Sequence, residues 1–574
     1  MCGIFALLNY FNYEHQTIHD EFTKGKNRGP EFSKLDFSYM KMVLGFHRLA
    51  INGLDQESNQ PIVIDDVVLI CNGEIYNYKQ LYNFMGVTPK TNSDCEVIIH
   101  LYIKYGIEQT LKMLDGVFSF VLYDNRLTND LNNRLYIARD PMGIRPLYCL
   151  YNNNNEKPFN LLGFASEMKC LIYFSKHNAN KYRIRHFTPG TYSVFNLSDK
   201  VQCIWEPIVV NKHYYIPTFS YSLLVNSKED VFNEIYSNIN YYLSSAVYKR
   251  CMTTERPIAC LLSGGLDSSL ITALVNNYYK INNKETKLET YSIGLVGSED
   301  LKNARFVADY LGTNHTEIIV TEKEMFDTIP ELIYTIESYD TTTIRASIGN
   351  YLLGKYISEN SKAKVIFNGD GSDELCGGYL YMSKCPDDIE YDKETRRLLE
   401  EIHLFDVLRS DKCISSHGLE PRTPFLDRTF VNYYLSIPPY FRNNKNHMKC
   451  EKFLLRNSFS LENFANYNQK QILPDEILWR KKEAFSDGVS SSGRSLYKIL
   501  QEHIEQLLLK DNEYNIHNIG ANIDTEKNYY YQIFNSHYPH CSDIIPHYWM
   551  PKYIDATDPS ARTLEIYNKE VTCF

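Results

Sequence analysis

Two short stretches of this 574-residue chain place reactive residue types at spacings that could do chemistry. Cys2 follows the initiator Met1, whose removal is expected when the second residue is small, and that removal would leave a thiol and a free α-amine on one residue. An α-amine titrates at about 7.7 to 8.0. It can therefore take the thiol proton near neutral pH, directly or through water, as in nucleophiles paired with their own N terminus. The second stretch, Ser263-Gly264-Gly265-Leu266-Asp267-Ser268-Ser269, follows an apolar run and opens a helical one. Backbone N–H groups and hydroxyls placed there can cradle phosphate at the positive end of a helix. The loop lacks the Gly-Lys-Ser/Thr ending of a Walker loop.

The elements that must hold these residues differ between the two parts of the chain. The first ~200 residues alternate short strands and turns, with strands at Val67 to Cys71, Val117 to Tyr123 and Leu135 to Ala138 and a helical pattern over Glu96 to Tyr105. Stacked sheets flanked by helices are expected. Beyond a Pro-containing, weakly patterned stretch the order becomes strand, glycine turn, long helix, with strands at Pro257 to Leu262, Thr290 to Leu295 and Lys364 to Asn368. That order predicts an α/β domain with a mainly parallel sheet. The expected division is a first domain over residues 2–205, a linker over 206–228, a second domain over 229–530 and a tail over 531–574.

The net charge of −10 argues against a non-specific grip on nucleic acid, which needs many Lys and Arg to displace counterions. Fourteen cysteines are scattered with no Cys-x-x-Cys pair, so neither a zinc site nor a disulfide framework is suggested and a cytoplasmic protein is expected. No run approaches ~18 consecutive apolar residues, and no membrane partner is expected. The sequence leaves a homodimer open.

Six segments run in order from Cys2: Cys2-Gly3-Ile4-Phe5, Arg28-Gly29-Pro30, His47-Arg48-Leu49-Ala50-Ile51, Asn72-Gly73-Glu74-Ile75-Tyr76-Asn77, Ser93-Asp94-Cys95-Glu96 and Ala138-Arg139-Asp140-Pro141-Met142-Gly143. Together they resemble the class II glutamine amidotransferases of the N-terminal-nucleophile superfamily. The resemblance implies an αββα sandwich in which Cys2 attacks the glutamine carboxamide and the Asn72 side chain and Gly73 N–H stabilise the oxyanion. It puts glutamine against Arg48, Leu49, Ala50, Ile51, Asn52, Asn72, Gly73, Glu74 and Asp94, with Arg48 for the α-carboxylate and Asp94 for the α-ammonium. Glu31 stands where the family usually has Asp after Arg-Gly-Pro.

The glycine loop resembles the pyrophosphate loop of ATP pyrophosphatases, which cleave ATP between the α and β phosphates. By that resemblance ATP is held by Leu262, Ser263, Gly264, Gly265, Leu266, Asp267, Ser268, Ser269, Ile293, Asn368 and Gly369. Mg²⁺ is expected on Asp267 and on Asp373, from Gly369-Asp370-Gly371-Ser372-Asp373-Glu374, because it prefers carboxylates plus phosphate oxygens. Thr342, Thr343 and Arg345 should lie near phosphate or aspartate. Lys482, from Arg480-Lys481-Lys482-Glu483-Ala484-Phe485-Ser486-Asp487-Gly488, matches a lysine that neutralises phosphate. Asp370 stands where the family ordinarily has Glu, at a carboxylate linked to forming the acyl-adenylate. The combination resembles the glutamine-hydrolysing asparagine synthetases, which implies glutamine, aspartate and ATP as substrates. The loop specifies adenylation and not the acid, so an amidotransferase acting on another carboxylic acid stays open, as does a non-catalytic ligand sensor on this scaffold.

Overall fold

The computed structural model describes the chain outside residues 127–132, 153–160, 177–181, 199–202, 217–227, 283–284, 467, 484, 491–493, 511–519, 565–566 and 568–574. Among the described residues the N-terminal part holds twelve strands: β1 (Gly3–Leu8), β2 (Phe32–Asp36), β3 (Met42–Arg48), β4 (Ile62–Ile64), β5 (Val67–Ile75), β6 (Gly116–Asp124), β7 (Arg134–Arg139), β8 (Tyr148–Asn152), β9 (Leu162–Ala165), β10 (Tyr182–His186), β11 (Thr191–Leu197) and β12 (Trp205–His213). They form two antiparallel sheets, ordered β10-β8-β9-β1-β3-β2 and β12-β11-β7-β6-β5-β4.

Alternation along β1 explains the layering, because successive side chains of a strand point to opposite faces. Ile4, Ala6 and Leu8 pack between the sheets against Val68, Ile70 and Val121. Phe5 and Leu7 face outward onto Ile18 and Phe22 of the helix His15–Thr23. On the far side, Ile99 and Tyr102 of the helix Val97–Met113 cover Leu69, Cys71 and Phe120. This is the expected αββα sandwich.

Among the described residues the C-terminal part is built on five strands, β13 (Ile258–Leu261), β14 (Glu289–Gly294), β15 (Asn314–Ile319), β16 (Val365–Phe367) and β17 (Glu420–Arg422). All its pairings are parallel, in the order β15-β14-β13-β16-β17. The sheet is covered on both faces, so β13 is buried throughout, with Ala259 and Leu261 in one core and Ile258 and Cys260 in the other. The chain leaves β13 toward β14 and later returns to add β16 on its other side. Such a reversal opens a crevice at the carboxyl ends of the two central strands, where ligands bind in open α/β sheets.

Two elements run across expected boundaries. Residue 206 does not begin a linker, because β12 continues to His213, paired with β11. As an edge strand it tolerates Pro207 and leaves Ile208 and Val210 exposed, which removed the alternation that would have marked it. Most of the remaining connector lies outside the described residues. The boundary at 530 falls inside the helix Ile523–His537, capped by Asn522 and holding Tyr529, Tyr530 and Phe534 in the core.

The two parts are pressed together. Leu49, Ile51, Tyr76, Met142 and Ile144 join the same apolar cluster as Leu262 and Phe367. Around them runs buried charge: Arg28 pairs with Glu167 at 2.8 Å and Asp411 at 2.7 Å, and Arg422 pairs with Glu74 at 3.4 Å.

Candidate functional site

Cys2 stands at the head of β1, and the register Gly3↔His47 sets it opposite Arg48 at the end of β3. Its Sγ donates to the Leu49 carbonyl at 3.6 Å. Burial raises the thiol pKa, and the adjacent α-amine pulls it the other way. The Arg28 Nε donates to the Cys2 carbonyl at 2.9 Å, while its Nη1 donates to Glu167 at 2.8 Å and Ser415 at 2.9 Å. Arg28 thus ties the Cys2 backbone to the C-terminal part.

Asn72 and Gly73 lie inside β5, which puts them in a strand and not in a turn. Ser166 Oγ accepts from Ile4 N at 3.1 Å and from Asn72 Nδ2 at 3.4 Å, so the Asn72 amide is held beside the start of β1. Its Oδ1 is buried without a hydrogen-bond partner. Gly73 has no room for a side chain, since a Cβ would sit 2.4 Å from the Val117 carbonyl oxygen.

Arg48 is buried and donates to Asp55 O at 2.8 Å, Asn59 Oδ1 at 2.7 Å and Gly53 O, which draws the loop after β3 around its guanidinium. That loop carries Leu49, Ala50, Ile51 and Asn52. Asn52 Nδ2 donates to Glu74 at 2.6 Å, and Asp94 accepts from Ile75 N at 2.7 Å, so Glu74 and Asp94 both lie at the end of β5. Burial pushes the Asp94 carboxyl up to about 6 and Glu74 well above the usual range. Glu31, longer than the usual Asp, receives Ala50 N at 2.7 Å and reaches Arg256 at 2.8 Å. The extra methylene lets it join the two parts.

The second site is a cavity of about 210 Å³ in the crevice at the ends of β13 and β16. Ser263 Oγ and Ser268 Oγ lie 2.9 Å apart, and Gly265 N donates to Ser263 Oγ at 3.3 Å, so the loop folds over the start of the helix Leu266–Ile281. Leu262, Leu266, Asp267, Ile293, Asn368, Gly369, Asp370, Asp373, Thr342 and Lys482 all line this cavity. Gly264 instead turns its carbonyl to Arg480 at 2.9 Å, and Ser269 is fully buried behind the loop.

Asp267 and Asp373 share the buried Lys452 cation. The Lys452 ammonium lies 2.7 Å from Asp267 and 2.5 Å from Asp373, and Lys482 reaches Asp373 from the other side. These two lysines hold the Asp373 carboxyl far below the usual carboxylate range against the opposing effect of burial. Two carboxylates that one ammonium can bridge are close enough to share a metal ion.

Two expected site residues line a smaller cavity beside this one, and both are engaged by protein partners. Thr343 caps its own helix, with N and Oγ1 both 2.8 Å from Asp340. Arg345 is buried and fully engaged, with Glu526 at 2.8 and 2.5 Å and Asp558 at 2.7 and 2.9 Å. It is a structural clamp and not a free cation for phosphate. Conversely, Arg409 had no assigned role, yet it sits 3.4 Å from Asp370 and 2.5 Å from Asp406 on the cavity wall.

An N-terminal-nucleophile sandwich joined to a parallel-sheet nucleotide crevice defines a two-domain glutamine amidotransferase with a synthetase half. Residues 1–209 match the glutamine amidotransferase domain family, and residues 238–391 and 384–548 match the asparagine synthase family. Over 586 residues the chain is 42% identical to the glutamine-hydrolysing asparagine synthetase of Gallus gallus and 40% identical to that of Homo sapiens, covering 100% of each chain. The chain belongs to the glutamine-hydrolysing asparagine synthetases.

Proposed function

We propose that the chain converts ATP, L-aspartate, L-glutamine and water to AMP, pyrophosphate, L-asparagine and L-glutamate. At the first site the Cys2 thiol, once Met1 is removed, gives its proton to its own α-amine and attacks the glutamine carboxamide. Ammonia leaves and the glutamyl thioester is hydrolysed. The Asn72 amide and Gly73 N–H face the oxyanion, and one such donor is worth roughly 100- to 1000-fold in rate. Arg48 and Asp94 hold the α-carboxylate and α-ammonium. At the second site the aspartate β-carboxylate attacks the α-phosphorus of ATP, pyrophosphate leaves, and ammonia displaces AMP from the β-aspartyl-AMP. Passage of ammonia between the halves keeps it concentrated and unprotonated.

The observation that carries this reading is the convergence of Asp267, Asp370, Asp373 and Lys482 on one crevice of a chain whose Cys2 lies opposite Arg48. Mg²⁺ would be held by Asp267 and Asp373 with phosphate oxygens, and when bound would neutralise phosphate charge; their sharing of one ammonium supports this. The glutaminase half is taken to end with β12, and the scattered free thiols support a cytoplasmic setting. The test is a product assay with glutamine, aspartate and ATP, following glutamate, asparagine and AMP by mass spectrometry. Absence of asparagine with aspartate present would refute it.

Because Asp94 titrates at about 6, it is ionised at neutral pH and neutral in acid. A neutral Asp94 cannot hold an ammonium, so glutamine affinity should fall by about tenfold between pH 7 and pH 5, following the ionised fraction. Calorimetric titration of glutamine into Cys2→Ala protein isolates this from the thiol. A flat affinity over that range would remove Asp94 from the ammonium site.

Lys452→Met leaves two carboxylates without the buried cation they share. Loss of one partner of a buried pair costs ~3–5 kcal/mol, and Lys452 is 3% exposed. The variant should unfold at distinctly lower urea concentration, and added Mg²⁺ should restore part of the loss by taking the vacated place. No response to Mg²⁺ would argue against a metal at this pair.

A further inference from the structure

The described part of the C-terminal segment returns to the synthetase crevice and is fastened there at several points. Tyr339 Oη donates to Ser542 O at 2.5 Å, and Asp340 Oδ1 accepts from Trp549 N at 2.8 Å. Further on, Asp558 is clamped by Arg345, and Ser560 Oγ donates to Asp487 at 2.8 Å. A second cavity of about 90 Å³ adjoins the first, sharing Thr342, Tyr379, Asp406 and Arg409 with it and walled on the outside by Trp549 and Leu564. Ala561 belongs to both cavities.

The last of these fastenings acts on the loop that carries Lys482. Residues 481–483 are in neither helix nor strand, so no backbone ladder fixes them. Side chains do: the Lys481 ammonium donates to the Tyr567 carbonyl, Lys482 reaches Asp373, and two further anchors flank them. On one side Arg480 donates to Gly264 O at 2.9 Å and pairs with Asp300 at 3.3 Å, which ties the loop to the pyrophosphate loop. On the other, Glu483 accepts from Arg562 Nε at 3.0 Å and from Tyr567 Oη at 3.1 Å, and Arg562 Nη2 makes a second bond to the same carboxylate. Arg562 and Glu483 are 9% and 14% exposed, which shields the pair from solvent. Arg562 lines neither cavity.

We propose that Arg562 is a positioning residue of the synthetase reaction: by fixing Glu483 it presents the adjacent Lys482 to phosphate, and the C-terminal segment around it is the outer wall of the acid-binding end of the site. The proposal rests on the reading of Lys482 as the phosphate lysine. Displacement of a reacting group by ~1 Å can cost on the order of 100-fold. Without Arg562 the Glu483 side of the loop keeps the Tyr567 hydroxyl and a looser 3.5 Å pairing with Arg480. Lys482 then loses its fixed reach while keeping its charge.

The test measures pyrophosphate release from ATP and aspartate with ammonium as nitrogen donor, together with glutamine hydrolysis, in full-length Arg562→Ala, Arg562→Lys, Glu483→Gln, Lys482→Ala and the double variant Arg562→Ala/Lys482→Ala. Arg562→Ala should lower kcat/KM for ATP about 10- to 100-fold, with Arg562→Lys recovering part of it and glutamine hydrolysis unchanged. In the Lys482→Ala background the further change should be under about twofold, because the residue acts through that lysine. If Lys482→Ala is crippled and Arg562→Ala is not, the positioning role is overturned. An undiminished loss from Arg562→Ala in the Lys482→Ala background, or a matching loss of glutamine hydrolysis, overturns it as well. Full activity of Lys482→Ala instead overturns the underlying phosphate assignment.

Discussion

Cys2→Ala should abolish glutamine-dependent asparagine synthesis, by at least about 1000-fold, and leave synthesis from ammonium salts within about twofold of the unmodified enzyme. The size of the first effect follows from the chemistry: with no nucleophile there is no thioester, and oxyanion donors and binding alone leave only a small residual rate. The smallness of the second follows from the structure. The Cys2 Sγ makes one weak hydrogen bond, to Leu49 O at 3.6 Å, so its loss strands no strong donor or acceptor. The contacts that tie this end of the chain to the synthetase half run through the Cys2 backbone carbonyl and Arg28, and alanine keeps them. Steady-state assays with the two nitrogen donors on one preparation decide the matter. Equal loss with both donors would sink the two-site reading.

Both candidate sites were legible in the sequence because their parts fall in short contiguous motifs. A glycine loop between β13 and its helix, or an Asn-Gly inside β5, keeps its neighbours whatever the rest of the chain does. What the motifs left unassigned acts across long separations. Arg28 meets Asp411, and Lys452 bridges Asp267 and Asp373; nothing in the spacing of a lone Arg or Lys announces such partners. Arg345 shows the converse. It sits in a segment whose neighbour Thr342 does line the cavity, but a helix turns successive residues by about 100°, and Arg345 emerges toward Glu526 and Asp558. Segment membership located the helix and not the direction of each side chain.

Boundaries were the other weak point, for a related reason. β12 has an exposed face and a proline, so its pattern is that of a connector, and its identity as a strand comes from β11 beside it. The helix Ile523–His537 earns its place by packing Tyr530 and Phe534 into a core assembled from the N-terminal half of the chain as well as the C-terminal one. Neither partner is visible locally.

Asp370→Asn should eliminate aspartate-dependent pyrophosphate release, by about 100-fold or more, while glutamine hydrolysis at Cys2 continues. The residue replaces the Glu ordinary in the family, so its carboxylate starts one methylene farther from whatever it must reach. The local structure holds the shorter side chain in place. Asn368 Oδ1 accepts from Asp370 N at 3.3 Å, and Asn368 is itself held by a 2.7 Å bond to Ser410. Gly371 follows at φ +90°, where a Cβ would sit 2.4 Å from Leu426, so the backbone there is fixed by packing. Arg409, steadied by Asp406, approaches one carboxylate oxygen at 3.4 Å, and the other is buried without a hydrogen-bond partner. Burial raises the Asp370 pKa against the pull of Arg409, which makes it a stronger base than an ordinary carboxylate and suits it to accept a proton as ammonia attacks. Asparagine keeps the shape and the Arg409 contact but can accept no proton and carries no charge, so ammonium salts should not rescue it. Asp370→Glu should also be slower, by about tenfold, because the added methylene overshoots a frame built for the shorter acid. Wild-type rates of asparagine formation in Asp370→Asn would mean that this carboxylate takes no part in the reaction.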